Sequence, residues 1–121
     1  MEPTKEHNEK MAKMIFATVY PMYVSKIEKK GRTKTELNQV IEWLTSYDEK
    51  TINELIDKKV NFQSFFENAQ LNQNAILIKG MICGYRVEEI ENPITRQVRY
   101  LDKLVDELAK GKSMEKILRI R

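Results

Sequence analysis

One stretch, Lys79 to Asp102, KGMICGYRVEEIENPITRQVRYLD, holds two of the chain's four glycines, its only cysteine, three arginines and a cluster of glutamates. On a helix Arg96, Arg99 and Lys103 are spaced three and four apart and share a face. Such a face suits a phosphate or carboxylate, which an arginine grips with a planar fork of donors. Arg86, Arg96 and Arg99 together, with Tyr85 or Glu89 as acid or base, make a candidate enzyme site for a small anionic substrate. The plainer reading pairs these arginines with Glu88, Glu89 and Glu91 across the Asn92-Pro93 corner, where they fix the angle between two helices.

Other chemistries find less support. Glu88, Glu89 and Glu91 have no accompanying DxD, HxxxH or Glu-x-x-His pattern, so no metal is expected, and His7 is the only histidine. Adjacent Glu88 and Glu89 point about 100° apart on a helix and do not face one substrate atom together. Cys83 lacks a neighbouring base and is expected to be a buried, inert thiol. Gly80 and Gly84, four apart, form a flat strip if their segment is helical. No GxGxxG follows a clear strand and no P-loop lysine is present, so no nucleotide cofactor is implied.

Lys26, Lys29, Lys30, Arg32 and Lys34 form the densest basic run, and Tyr20 and Tyr23 lie on the helix that opens it. Cations with aromatic platforms fit weak single-stranded nucleic-acid binding. The tyrosines fall on the apolar stripe, however, which places them in the core. A helix-turn-helix over residues 34 to 58 is discounted because Glu49, Glu54 and Asp57 would face the phosphates. The formal net charge is +3, but its sign alternates along the chain, with eight Lys/Arg against four Glu in residues 1–34 and three against seven acidic residues in 35–69. One dominant basic face is therefore not expected, and nucleic acid is an unlikely partner.

The elements that must position these groups come from periodicity and caps. With 121 residues the chain fits one domain. Residues 1–11 carry almost no apolar side chains and are expected to be a flexible tail, leaving 12–121 as a single helical domain. Phe16, Tyr20, Tyr23, Val24 and Ile27 recur at helical spacing, and a helix over about 19–30 is expected, capped by Thr18, with Pro21 in its first turn and Gly31 after its end. Thr33 and Glu36 form a capping box for a helix carrying Leu37, Val40, Ile41 and Leu44, with Trp43 at the stripe's edge. Asp48 and Asn61 cap two shorter helices, the second bearing Phe62, Phe65 and Phe66. Asn92 with Pro93 opens the longest helix, which runs to Gly111, and Ser113 caps a final short one.

Ala75 to Val87 fits two readings. Ile78, Met81, Ile82 and Tyr85 make one helical face, with Asn74 as cap, and this reading is preferred; β-branched content and two glycines permit a hairpin instead. The fold class is all-α, a single domain of five to seven short helices.

Several strings carry a family resemblance: KGRTK at 30–34, WLTSYD at 43–48, NFQSFF at 61–66, and GMICGYRVEEIENP followed by RYLDKLVDELAKGKSMEKIL. Over roughly residues 11 to 119 the chain resembles the small prokaryotic family catalogued as domain of unknown function 2200. It departs from the family pattern at Ser46, where a glycine is usual, and at Gln70 and Gln73, where prolines are usual, which should loosen that loop. The resemblance implies a stand-alone cytoplasmic protein without an assigned activity or catalytic residues. The single cysteine and the polar N-terminus also point to the cytoplasm, and no stretch approaches the ~18 apolar residues of a membrane-spanning helix. The leading reading is a binding or protein-interaction module. Self-association through Trp43, Phe62, Phe65 and Phe66 is one form of it, if those aromatics are not all buried.

Overall fold

A computed structural model describes residues 3–119. Among them seven α-helices enclose one core: α1 (Lys5–Lys13), α2 (Phe16–Glu28), α3 (Lys34–Thr45), α4 (Glu49–Asp57), α5 (Phe62–Glu67), α6 (Pro93–Ala109) and α7 (Met114–Ile117). A two-stranded antiparallel hairpin, β1 (Met81–Ile82) and β2 (Tyr85–Arg86), stands between α5 and α6, flanked by single 3-10 turns at Gln73–Leu77 and Val87–Glu89. The all-α class and the single domain hold, with the hairpin as the one addition.

α6 is the axis. Its apolar positions Val98, Leu101, Leu104, Val105 and Leu108 are buried, and α1, α2, α3, α5 and α7 all pack against it. The caps fall where the residue types place them. Thr33 and Glu36 form the reciprocal box, and the side chains of Asp48, Asn61, Asn92 and Ser113 each accept the amide three residues on. Phe62, Phe65 and Phe66 are buried, while Trp43 packs half-buried on the core and keeps part of its ring at the surface. Phe16 stacks on Phe65 with ring centroids 4.3 Å apart, which locks α2 onto α5.

Three expectations give way. Residues 5–13 form a helix where a tail was expected; residues 1 and 2 lie outside the described residues. The Thr4 side chain caps α1, its Lys, Glu, Met and Ala are good helix formers, and it docks by one buried apolar side chain, Met11, plus polar contacts to α6. α2 begins at Phe16 and has no side-chain cap, so Thr18 is not its cap and Pro21 lies inside the helix. A backbone bridge satisfies this end instead: the Phe16 amide donates to the Val60 carbonyl at 3.0 Å and the Phe62 amide to that of Met14 at 2.9 Å.

The preferred helix over Ala75 to Val87 is replaced by the hairpin. Cys83 and Gly84 occupy its two-residue turn with φ of 51° and 86°, the pair of left-handed residues that a tight hairpin requires. Gly84 therefore serves as a turn residue, and Gly80, with φ of 108°, as the bend that leads into β1, rather than the two forming a flat strip. Cys83 is exposed at the turn, not buried.

The loop before the hairpin is tied down rather than loose. The Gln70 amide donates to the Thr45 carbonyl at 3.0 Å, a bond that a proline there would lack, and Ser46 Oγ donates back to the Gln70 carbonyl at 2.8 Å. Ser46 ends α3 with φ of 65°, the left-handed conformation that glycine adopts without strain.

Candidate functional site

The one-turn spacing of Arg99 and Asp102 on α6 sets the centre of the site. Arg99 Nη1 donates to Asp102 Oδ2 at 2.8 Å, and Asp102 Oδ1 accepts the Tyr23 hydroxyl of α2 at 2.5 Å. On its other side Arg99 Nη2 donates to His7 Nε2 of α1 at 3.2 Å, while its Nε is buried without a hydrogen-bond partner. A guanidinium has only donors and no lone pair to accept with, so the contact is a hydrogen bond when His7 Nε2 is unprotonated, as in the neutral tautomer that carries its proton on Nδ1. The result is one polar chain, His7–Arg99–Asp102–Tyr23, drawn from three helices.

This chain forms a wall of a cavity of about 420 Å³ between α1, α2, α6 and the hairpin turn. Its apolar lining comes from Met11 and Met14, from Val19 and Met22, and from Val98 and Val105. Three cations line it, Lys10, Lys26 and Arg99, against one carboxylate, Asp102, and Cys83 lies at the hairpin side. Lys26 also meets Asp106 at 3.5 Å, but half of its side chain is exposed, so that pair is weak.

Burial and the neighbouring Asp102 charge hold the Tyr23 hydroxyl well above the ordinary tyrosine range, so it remains a proton donor to Asp102. Desolvation, then the positive charges of Arg99 and Lys10, push the His7 imidazole below its ordinary value.

Only part of the expected constellation assembles. Arg99 lines the cavity, and Tyr85 stands beside it with its ring 5.8 Å from that of His7. Arg86 is exposed on β2, and Glu89 is exposed in the 3-10 turn. Arg96 donates to the Ile90 carbonyl at 3.3 Å. None of these three lines the cavity, so the three-arginine clamp does not form. Arg99 is held by Asp102 and His7, while Glu88 accepts the Gly80 amide at 3.0 Å, the bond that most lowers its pKa. Lys103 donates to the Met81 carbonyl at 3.1 Å and so anchors β1 on α6.

The basic run is largely engaged in the fold. Arg32 reaches both Glu36 oxygens and donates to the carbonyls of Leu108 and Lys112 at 3.1 and 2.8 Å, joining the start of α3 to the end of α6. Lys34 lies over the Tyr20 ring at 5.7 Å, whereas Lys29 and Lys30 are exposed. Tyr20 and Tyr23 are buried, as the apolar stripe implied. Replacing Arg32 by alanine is therefore expected to destabilise the fold by about 2–3 kcal/mol. A urea midpoint that stays within error of the parent would refute this, and lysine should restore little because it lacks the fork.

Sequence reasoning missed His7 and Lys10 by assigning them to a tail, and missed Cys83 by burying it. It also put Tyr23 in the core without its link to Asp102, 79 residues away. Of this polar chain the sequence singled out Arg99, through the helical face it shares with Arg96 and Lys103.

Among the described residues no helix is long and apolar enough to cross a membrane. The family profile for an uncharacterized protein conserved in bacteria, DUF2200, matches residues 10–119. The chain is also similar to the crystal structure of uncharacterized protein SP1917, at 40% sequence identity and a TM-score of 0.85 over 92% of each chain. No curated protein matches it. Sequence and fold thus agree over nearly the whole length, and the chain belongs to the DUF2200 family of uncharacterized proteins conserved in bacteria.

Proposed function

We propose that the chain is a small-ligand binding module, working in the cytoplasm, whose cavity takes an amphipathic anion. The observation that carries this reading is Arg99: a mostly buried guanidinium with an unpartnered Nε, set in the wall of an apolar cavity with Lys10 and Lys26. Ligand sites commonly combine an apolar lining with a few fixed polar groups, and about 420 Å³ lies within their usual size. The anionic head is read against Arg99 and Lys10, and the apolar tail against Met11, Met14 and Met22. Methionine side chains adapt to tails of differing shape.

The test is calorimetric titration with octanesulfonate, which stays ionised at every working pH, against octanol and octylammonium. The sulfonate is expected to bind at least ~10-fold more tightly than the alcohol, a difference of about 1.4 kcal/mol. Lys10→Gln, a change at an exposed position, should weaken the sulfonate about 2- to 5-fold while leaving the alcohol unaffected. Equal binding of sulfonate and alcohol, or no binding of either, would overturn the reading.

A further inference from the structure

The His7–Arg99 contact imposes a condition on how the cavity fills. As the molecule stands, His7 Nε2 accepts a hydrogen bond from Arg99 Nη2. Protonation would turn Nε2 into a donor, leaving two donors opposed with no acceptor between them. The one carboxylate in the wall is turned to other donors, its Oδ2 accepting from Arg99 and its Oδ1 from Tyr23. An anion entering beside Arg99 supplies the missing acceptor and brings negative charge to oppose the positive charges of Arg99 and Lys10 at His7.

We propose that filling the cavity with an anion takes up a proton at His7, so that the imidazolium and Arg99 hold the anionic head together. This deepens the binding reading above and rests on it. The groups facing His7 are consistent with the coupling. From α6 come Arg99 and Asp102, from α1 Lys10, from α2 Tyr23 and Lys26, and from the hairpin Cys83 and the ring of Tyr85. Desolvation, then the charges of Arg99 and Lys10, lowers the proton affinity of the imidazole while the cavity is free of anions, and an anion offsets the two charges. By linkage, the ligand that raises proton affinity at His7 binds more tightly as pH falls through the range in which His7 titrates.

His7 is the only histidine in the chain, so its imidazole resonances in a proton NMR titration are unambiguous. Without ligand the midpoint should lie below that of an ordinary histidine. With saturating octanesulfonate it should rise by about one pH unit, which corresponds to about tenfold tighter binding to the protonated form. In buffers of different ionisation enthalpy, calorimetry should register net proton uptake near that midpoint. His7→Gln keeps an acceptor for Arg99 but does not titrate, and its affinity should be independent of pH. A midpoint that stays in place or falls while octanesulfonate binds would overturn the coupling and leave the binding reading intact. No binding of octanesulfonate at any pH would overturn both.

Discussion

Replacing Arg119 with methionine is expected to lower the thermal midpoint by on the order of 10–20 °C, corresponding to about 3–5 kcal/mol for breaking a buried ion pair in a domain of this size. Glu107 of α6 is only 3% exposed, and Arg119 grips both of its oxygens, at 2.7 and 2.9 Å. With Arg119 removed, the counter-charge left to the carboxylate among the described residues is the Lys112 ammonium, 3.6 Å away on a half-exposed side chain. A buried carboxylate with so distant a counter-charge is costly. The effect should concentrate at the C-terminus, because α7 has four residues and a helix that short is stable only through packing, here through the buried Ile117 and the arginine beyond it. Combining Glu107→Met with Arg119→Met should recover most of the loss, since two apolar side chains can replace a buried pair at little net cost. The loss should change little with added salt, because buried charges are poorly screened. A single mutant within ~0.5 kcal/mol of the parent would show that Glu107 does not depend on Arg119.

The legible parts of this fold are those whose signals are local. Thr33 with Glu36, and Asn92 with Pro93, announce helix starts within four residues, and both helices form there. The stripes on α3 and α6 are apolar at helical spacing because those helices bury apolar faces. α1 defeats the same logic: it buries one apolar side chain, Met11, and meets α6 through polar contacts of His7 and Asn8, the latter accepting from Thr95 Oγ1 at 2.7 Å. A polar docking face carries no hydrophobic period. The hairpin is hidden differently, since two-residue strands are too short to show alternation and Cys-Gly is a weaker turn signal than Asn-Gly. Likewise the face of Arg96, Arg99 and Lys103 shows on one helix, whereas His7, 92 residues before Arg99, meets it only through the tertiary fold.

Asp102→Ala tests whether the polar chain is a structural brace alone or a brace that also competes with ligand. Removing the carboxylate leaves Arg99, 9% exposed, with His7 as its remaining partner, and deprives the Tyr23 hydroxyl of its acceptor. Breaking a buried pair costs about 3–5 kcal/mol, and the open cavity, which admits water to Arg99, places this case at about 3. A pure brace predicts that loss and nothing more. If the cavity binds an anion on Arg99, the same substitution removes a like charge from beside the anionic head and frees a donor that Asp102 now occupies. Octanesulfonate should then bind the variant about tenfold more tightly than the parent, and at a fixed concentration well above both dissociation constants should return up to ~1.4 kcal/mol more stability to it. Asp102→Asn, which keeps the side-chain shape and an acceptor for Tyr23, should lose less stability and show a similar gain in affinity. Equal or weaker binding by both variants would place the anion away from Arg99, whereas tighter binding in a less stable protein is the signature of a carboxylate standing where the ligand's own charge belongs.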